Sequence, residues 1–520
     1  MHSFNLVEKP WIPTILLDGR YQDMSLKEVL LSPDQIKELY DSSPLVTAAL
    51  HRLLLAILYR NFPCKSLQDW KPIWKAWDYE KLASYLEKWK DRFDLFHKEH
   101  PFYQLANFST KKPTPIKRLG WEFAAGNNAT LFDHSWDEDR PKVSPSTAAR
   151  WIIATHLFAA SAGKSETLHT KDSPWTRGAV ILMQGNNLFE TLNLNLLSFI
   201  RDEYIEESEG DLPTWEQSPN WKPEHDLYPS KLLEYLTWQS RAICLIPEDD
   251  GSVKECYFAQ GRAIREDWRR EPMFAYNKSD KEGYFPWQFR EDKAIWRDSH
   301  TLFDLSGEVS KVPYSLCRIS ELIEDGVLPI ECVYQLQILG QCLESGKPTI
   351  NFLRQESLPL RVEYLQKEEL LEKLKAAIEL SEEVAEKLRK GLWQLSKLLL
   401  ATNSNNSEAR QPDKKDIQNL VNSFSSLPHY WSQMEIAFKD FLTKLPDDES
   451  EEGLQKEIKR WAENLRNNAL EAFKVATRSL DGSARKLKAA AIAENSFRVS
   501  LFEALGRYLQ QPTAIGATNE

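Results

Sequence analysis

Residues 370–400 read LLEKLKAAIELSEEVAEKLRKGLWQLSKLLL, and the spacing of the apolar residues in this stretch decides the fold class. Leu371, Leu374, Ile378, Ala385, Leu388, Leu392, Leu395 and Leu399 recur at intervals of three and four, which lines them along one side of a helix as a bundle seam. A polar loop, TNSNNSEARQPD (402–413), follows. The next helical stretch runs from about Asp413 to Leu445, with an interruption expected at Pro428, whose ring disfavours helix at the preceding residue. Leu454, Ile458, Trp461, Leu465 and Ala472 repeat the spacing in a third helix, and Gly482 in LDGS supplies a C-terminal stop. Leu487, Ala491, Leu501, Leu505 and Tyr508 mark a fourth. Residues 358–520 therefore read as an antiparallel four-helix bundle.

Upstream, in residues 1–357, the pattern changes to short strands, helices and long loops. LVTAALHRLLLAILYR (45–60) is apolar on every side and reads as a buried helix. RAICLIPEDDGSVKECYFAQG (241–261) reads as a strand, a turn holding Asp250-Gly251 and a second strand. A second hairpin is expected in ECVYQLQILGQCLESGKPTINF (331–352), with Gly346 and Pro348 at its turn. The fold class is thus α+β: a large mixed N-terminal domain followed by a C-terminal four-helix bundle.

Composition narrows the function classes. Hydrophobic residues make up 42% of the 520 and charged residues 28%, which excludes collagen-like and mostly disordered chains. The net charge of -11 argues against a protein that wraps nucleic acid over its whole surface, but leaves room for a local basic patch. The six cysteines form no Cys-x-x-Cys pair and read as reduced thiols. The N-terminus has no secretory pattern, and the longest apolar run, LLLAIL (53–58), is too short to span a bilayer. A cytoplasmic protein with no membrane partner is expected.

Three motifs invite chemistry. FHKEHPFYQ (96–104) gathers His97, Glu99 and His100, but Pro101 biases His100 away from helix and no third ligand for a metal is evident. SAGKS (161–165) ends like a phosphate-binding loop, yet Phe158 stands where that motif needs its first glycine, and the preceding residues look helical. It reads instead as a surface loop whose small backbone at Gly163 can approach a nucleic acid while Lys164 adds charge. In AQGRAIREDWRREP (259–272), Arg262 follows the first hairpin and stands clear of Glu266, Asp267 and Glu271; an arginine there can reach acceptors on base edges.

Several strings together resemble the large-subunit family (CasA) of Cascade, the type I-E CRISPR surveillance complex. They are FNLVEKPWIP (4–13) with the later DG and MSLKEVL, SPLVTAALHRLLLAILYR (43–60), DRFDLFHKEHPFYQ (91–104), KDSPWTRGAVILMQGNNLFETLNLNLL (171–197) and YLTWQSRAICL (235–245). They occur in the family's order and cover most of the first 350 residues, and a terminal four-helix bundle belongs to the family too. HPFYQ then reads as a structural marker of that family, not a metal site.

The resemblance implies a recognition subunit with no catalytic residues, no cofactor and no metal. Its partners would be crRNA, target double-stranded DNA, the other Cascade subunits and the CRISPR nuclease-helicase. It would read the protospacer-adjacent motif and help open the duplex for the R-loop. Carried over by matching motifs, the contacts to DNA fall on Gly163, Lys164, Gln260 and Arg262, and the wedge hairpin on Ser345, Gly346 and Lys347 within CLESGKPTI (342–350). The loop that docks at the crRNA 5′ handle matches AGNNATLFDH (125–134), giving Asn127, Asn128, Leu131, Phe132 and Asp133. The sequence departs from the family pattern by having a single glycine in the glycine loop and Gly346-Lys347 where a glutamine is usual at the wedge tip. The rival readings are a stand-alone nucleotide- or metal-dependent enzyme and a pure helical scaffold.

Overall fold

The computed structural model describes residues 2–120, 142–163, 165–200, 210–218, 221–265, 271–281, 283–307, 310–330, 332–345, 347–401, 412–478 and 480–509. They divide into two units. One comprises Met1–Ile295, Thr301–Ile330 and Tyr334–Leu358, and the other Trp296–His300, Glu331–Val333 and Pro359–Glu520.

The first unit begins with a small antiparallel sheet in which β1 (Ile12–Leu16) lies between β2 (Tyr21–Met24) and β3 (Ile36–Leu39). Gly19 turns the chain between β1 and β2 with φ of +85°, a conformation that side chains resist. α1 (Pro44–Asn61) is the expected buried helix: every residue except Arg60 lies in the core. Its one deeply buried charge, Arg52, pairs with Glu271 at 3.0 Å and donates to the carbonyls of Tyr235 and Leu236 at 2.6 and 2.9 Å. The guanidinium also lies between the rings of Trp175 and Tyr235. A buried charge needs such a complete set of partners to survive without water.

α2 (Pro145–Phe158) packs against α1. Its start is set by the Ser144 hydroxyl, which accepts from the Thr147 N–H, and by proline in the first turn. β4 (Val180–Gln184) follows, then β5 (Glu224–Leu227). β6 (Arg241–Pro247) and β7 (Val253–Gln260) form the first expected hairpin, in register from Arg241↔Gln260 to Ile246↔Glu255 and shifted by one residue at Pro247↔Val253, with Gly251 in its turn at φ +80°. β8 (Arg262–Ile264) pairs in parallel with β5. β9 (Val333–Leu343) and β10 (Ile350–Arg361) are the second expected hairpin, and β9 is the middle strand between β10 and β4.

The second unit is helical: α3 (Glu368–Leu400), α4 (Lys414–Ser423), α5 (Ser426–Lys444), α6 (Glu451–Arg478) and α7 (Ala484–Leu509). α3 buries Leu374, Ile378, Ala385, Leu388, Leu392 and Leu395 as the spacing requires, although Leu370 turns inward in place of Leu371. The chain breaks between α4 and α5 at Ser425, which has φ of +54°, and not at Pro428. Pro428 falls in the first turn of α5, where its missing N–H would have had no helical partner. The expected phase of the fourth helix holds at Leu501 and Leu505 and is corrected before them. Leu487 is 56% exposed and Ala491 is exposed, while Ala489, Ala493, Phe497, Leu501 and Leu505 face the core. There α7 approaches α3 so closely that a β-carbon on Gly391 would lie 3.0 Å from Phe497 Cβ. Among the described residues no helix is long and apolar enough to cross a membrane.

Candidate nucleic-acid interface

The last turn of any α-helix leaves carbonyls without helical partners. At the C-terminal end of α2 they are met by groups from three separate parts of the chain. The Ser240 hydroxyl donates to His156 O (2.7 Å), the Trp175 N–H to Leu157 O (2.7 Å) and Gln341 Nε2 to Phe158 O (2.8 Å). Ala159 O accepts from the Ser173 N–H (3.0 Å), the Thr176 hydroxyl (3.1 Å) and the Arg241 guanidinium (2.7 Å). Arg241 is 1% exposed, and burial pushes its pKa down to about 10, so it remains a cation at neutral pH. A positive charge at a helix C-terminus complements the helix dipole.

The loop carrying SAGKS starts from this helix end. Gly163 is exposed, with φ of +83° and open space where a side chain would go. Thr170 closes the loop: its N–H and hydroxyl both donate to Gly163 O (2.8 and 2.6 Å), and its hydroxyl accepts from the Ala162 N–H (2.7 Å). The Ser161 N–H donates to Asp172, which also pairs with Arg177. Gly163 thus follows a helix, and Ser165 leads into bends, opposite to the strand-then-helix setting of a phosphate-binding loop.

Gln260, expected among the DNA contacts, is not a surface residue of this chain. It is 0% exposed and fastens the loop from behind. Its side-chain oxygen accepts from the Lys171 N–H (2.8 Å) and the Arg241 guanidinium (3.3 Å), and Nε2 donates to Ser240 O (2.9 Å). Its backbone N–H donates to the Ser165 hydroxyl (3.1 Å), and its carbonyl accepts from the Thr167 hydroxyl (2.9 Å).

Arg262 begins β8, at the end of the first hairpin away from the Asp250-Gly251 turn. Its guanidinium stacks over the Trp238 ring at 4.0 Å and pairs with Glu234 at 2.8 Å, leaving the side chain 23% exposed. It stands clear of neighbouring acids in sequence, as expected, but not of Glu234 in space. Gly261 before it allows close approach: a β-carbon there would fall 2.6 Å from the Arg241 backbone. His169, Lys171, Arg177 and Arg265, with Asp172 and Glu271, line a cleft of about 720 Å³ at the base of the loop. Three cations, Lys171, Arg177 and Arg265, thus share that lining with two carboxylates, and Arg177 pairs with Asp172.

Over residues 5–472 the sequence matches the family model for CRISPR-associated protein Cse1. The chain belongs to the Cse1 family. It is similar to the CRISPR-associated protein CasA/Cse1 of Thermus thermophilus, at 32% identity over 96% of this chain and 97% of the relative. The crystal structure of Thermus thermophilus CasA superposes with a TM-score of 0.78 at 29% identity, covering 96% of this chain and all of that one. A chain of a CRISPR RNA-guided surveillance complex shares the fold, with a TM-score of 0.74 at 19% identity, over 96% of this chain and all of that one.

In this Cse1-family chain the second hairpin is tied to the same helix end near its tip, because Gln341, two residues before the end of β9, donates to both Phe158 O and Thr176 O (3.1 Å). At the tip Ser345 and Lys347 are exposed, and Lys347 makes a surface pair with Glu344 at 2.5 Å, a contact of little energetic weight. Lys164, Gly346, Asn127, Asn128, Leu131, Phe132 and Asp133 lie outside the described residues. The HPFYQ string serves packing: Phe102, Tyr103 and Gln104 are buried, and Tyr103 O receives the His156 Nε2 hydrogen bond at 2.9 Å. The nearby His97 Nδ1 accepts the N–H groups of Glu99 and His100. Sequence reading missed Arg241 and Gln341. The signal available was a polar residue inside an otherwise buried strand, which must find partners.

Proposed function

We propose that the chain is a non-catalytic subunit of a CRISPR RNA-guided surveillance complex that reads a short motif in double-stranded DNA beside the target and helps open the duplex. The observation that carries this reading is the shared anchorage of the Gly163 loop, the strand leading to Arg262 and the β9–β10 hairpin at one helix end. The first two suit a groove: the minor groove offers a degenerate acceptor pattern and its width, which a glycine backbone and one cation can follow. The hairpin suits a wedge, since unstacking one base step costs a few kcal/mol and is offset as guide pairing begins. Protein then reads the motif and the guide reads the remaining sequence.

Family membership and the likeness to the surveillance-complex chain support partnership with crRNA and further subunits. In the same reading the 125–134 loop docks at the crRNA 5′ handle, and the complex recruits the nuclease-helicase. The helical unit contacts neighbouring subunits, for which Leu487, Ile492, Val499 and Phe502, all exposed on α7, provide an apolar surface. The reading is tested by measuring affinity for motif-bearing and motif-free duplex, with the chain alone and after assembly with guide RNA and partner subunits. A motif preference in the assembled complex is expected; equal binding of both duplexes would leave a scaffold.

A further inference from the structure

Gln260 uses every polar group it has. Its two backbone groups hold Ser165 and Thr167, its side-chain oxygen holds Lys171 and Arg241, and its side-chain nitrogen holds Ser240. Arg241 reaches around the same point from the other side, donating to Ala159 O (2.7 Å) before the loop and to Lys171 O (2.8 Å) after it. The loop is thereby fixed at both ends and along its return limb by two buried side chains. Two residues beyond Gln260, across a glycine that no larger residue can replace without displacing the Arg241 backbone, comes Arg262.

We infer that Gln260, backed by Arg241, is a positioning residue that sets the register between the Gly163 loop and Arg262, so that both meet one DNA groove together. This rests on the reading of that loop and arginine as DNA contacts. The physical reason is that binding groups gain specificity only when held to about half an ångström of the productive geometry by a second layer of locked side chains. A solvent-exposed loop closed by its own threonine would otherwise wander relative to β8. Gln260 touches no DNA in this account. It acts through the Ser165–Lys171 limb on one side and the Gly261-Arg262 peptide on the other.

The test uses the full complex assembled with guide RNA and partner subunits, and measures affinity for duplexes with and without the motif. Gln260→Leu removes all three side-chain bonds. It should lower affinity for the motif-bearing duplex by about tenfold, the scale of a lost buried hydrogen-bond set, and leave the motif-free duplex unchanged. Gln260→Glu keeps the acceptor for the Lys171 N–H beside Arg241 and should restore most of the preference. Thr167→Val, at a half-buried loop position, removes one bond to the same residue without entering the core, and should show the same pattern more weakly even if Gln260→Leu fails to assemble. Equal loss on both duplexes, or no rescue by glutamate, would show general structural damage and overturn the inference. Gly163→Val and Arg262→Ala separate the two levels. If they abolish the motif preference while Gln260→Leu and Thr167→Val keep it, the positioning role fails and the DNA reading stands. If neither of them changes it, the DNA reading fails and the positioning role falls with it.

Discussion

At the scale of single residues, polar groups in the core decide more than exposed charges do. His156 is buried with both ring nitrogens engaged: Nε2 donates to Tyr103 O, and Nδ1 accepts from the Arg241 N–H at 3.3 Å. Burial disfavours the charged ring, and a second ring proton would face the Arg241 N–H, so the pKa is pushed down to about 4. Because the folded value lies below the ordinary one near 6.5, this contribution is complete above about pH 6.5 and is lost as the pH falls towards 4. Between pH 7 and 5 the cost is on the order of 2 kcal/mol. Urea unfolding at both pH values should show a smaller loss for His156→Gln than for the native chain; an identical loss would remove His156 from the account. The Arg262 pair is a second lesson at this scale. Its sequence neighbours Glu266, Asp267 and Glu271 suggested no partner, yet Glu234, twenty-eight positions upstream, takes one of its N–H groups.

At the scale of elements, repeated patterns were legible and single insertions were not. The α3 seam could be read from its leucines because a long amphipathic helix states its buried side many times over. Ahead of Leu501 the α7 seam was read out of phase because it is made there of alanines and one phenylalanine, while the larger Leu487 and Ile492 lie outside. Small residues win there by allowing helix axes to approach closely. The contribution of 296–300 to the helical unit had no pattern to announce it. Trp296 is 2% exposed and stacks on Phe438 at 4.5 Å, while Arg297 stacks on Trp431 at 3.7 Å and pairs with Glu382. Trp296→Ala should therefore cost about 3–5 kcal/mol, as for other large-to-small changes in a core. Denaturant unfolding of the full chain checks this; a change below ~1 kcal/mol would mean the site collapses around the loss.

At the scale of the whole molecule, the strings that identify the family mark the packing of the first unit more than its surface. That is why both hairpins and the buried helix could be anticipated, while the candidate site could be only partly assembled. Gly163, Arg262 and Lys347 were visible as exposed, special or charged residues. The links between them, Arg241, Gln260 and Gln341, are buried and far apart in sequence, and only the fold brings them to one helix end.

The proposed function turns on a division of labour in which Arg262 and its loop read the closed duplex, while the β9–β10 hairpin opens it. The decisive comparison sets Arg262→Ala against a shortened turn replacing 345–347, both in the assembled complex, on closed duplex and on DNA already melted in the target. Arg262→Ala should weaken binding to closed motif-bearing duplex by about 1–3 kcal/mol. The shortened hairpin should bind normally, open closed duplex slowly and recover its rate on melted DNA. An arginine variant equally harmless on both substrates, or a hairpin variant as slow on melted DNA as on closed duplex, would break that division of labour.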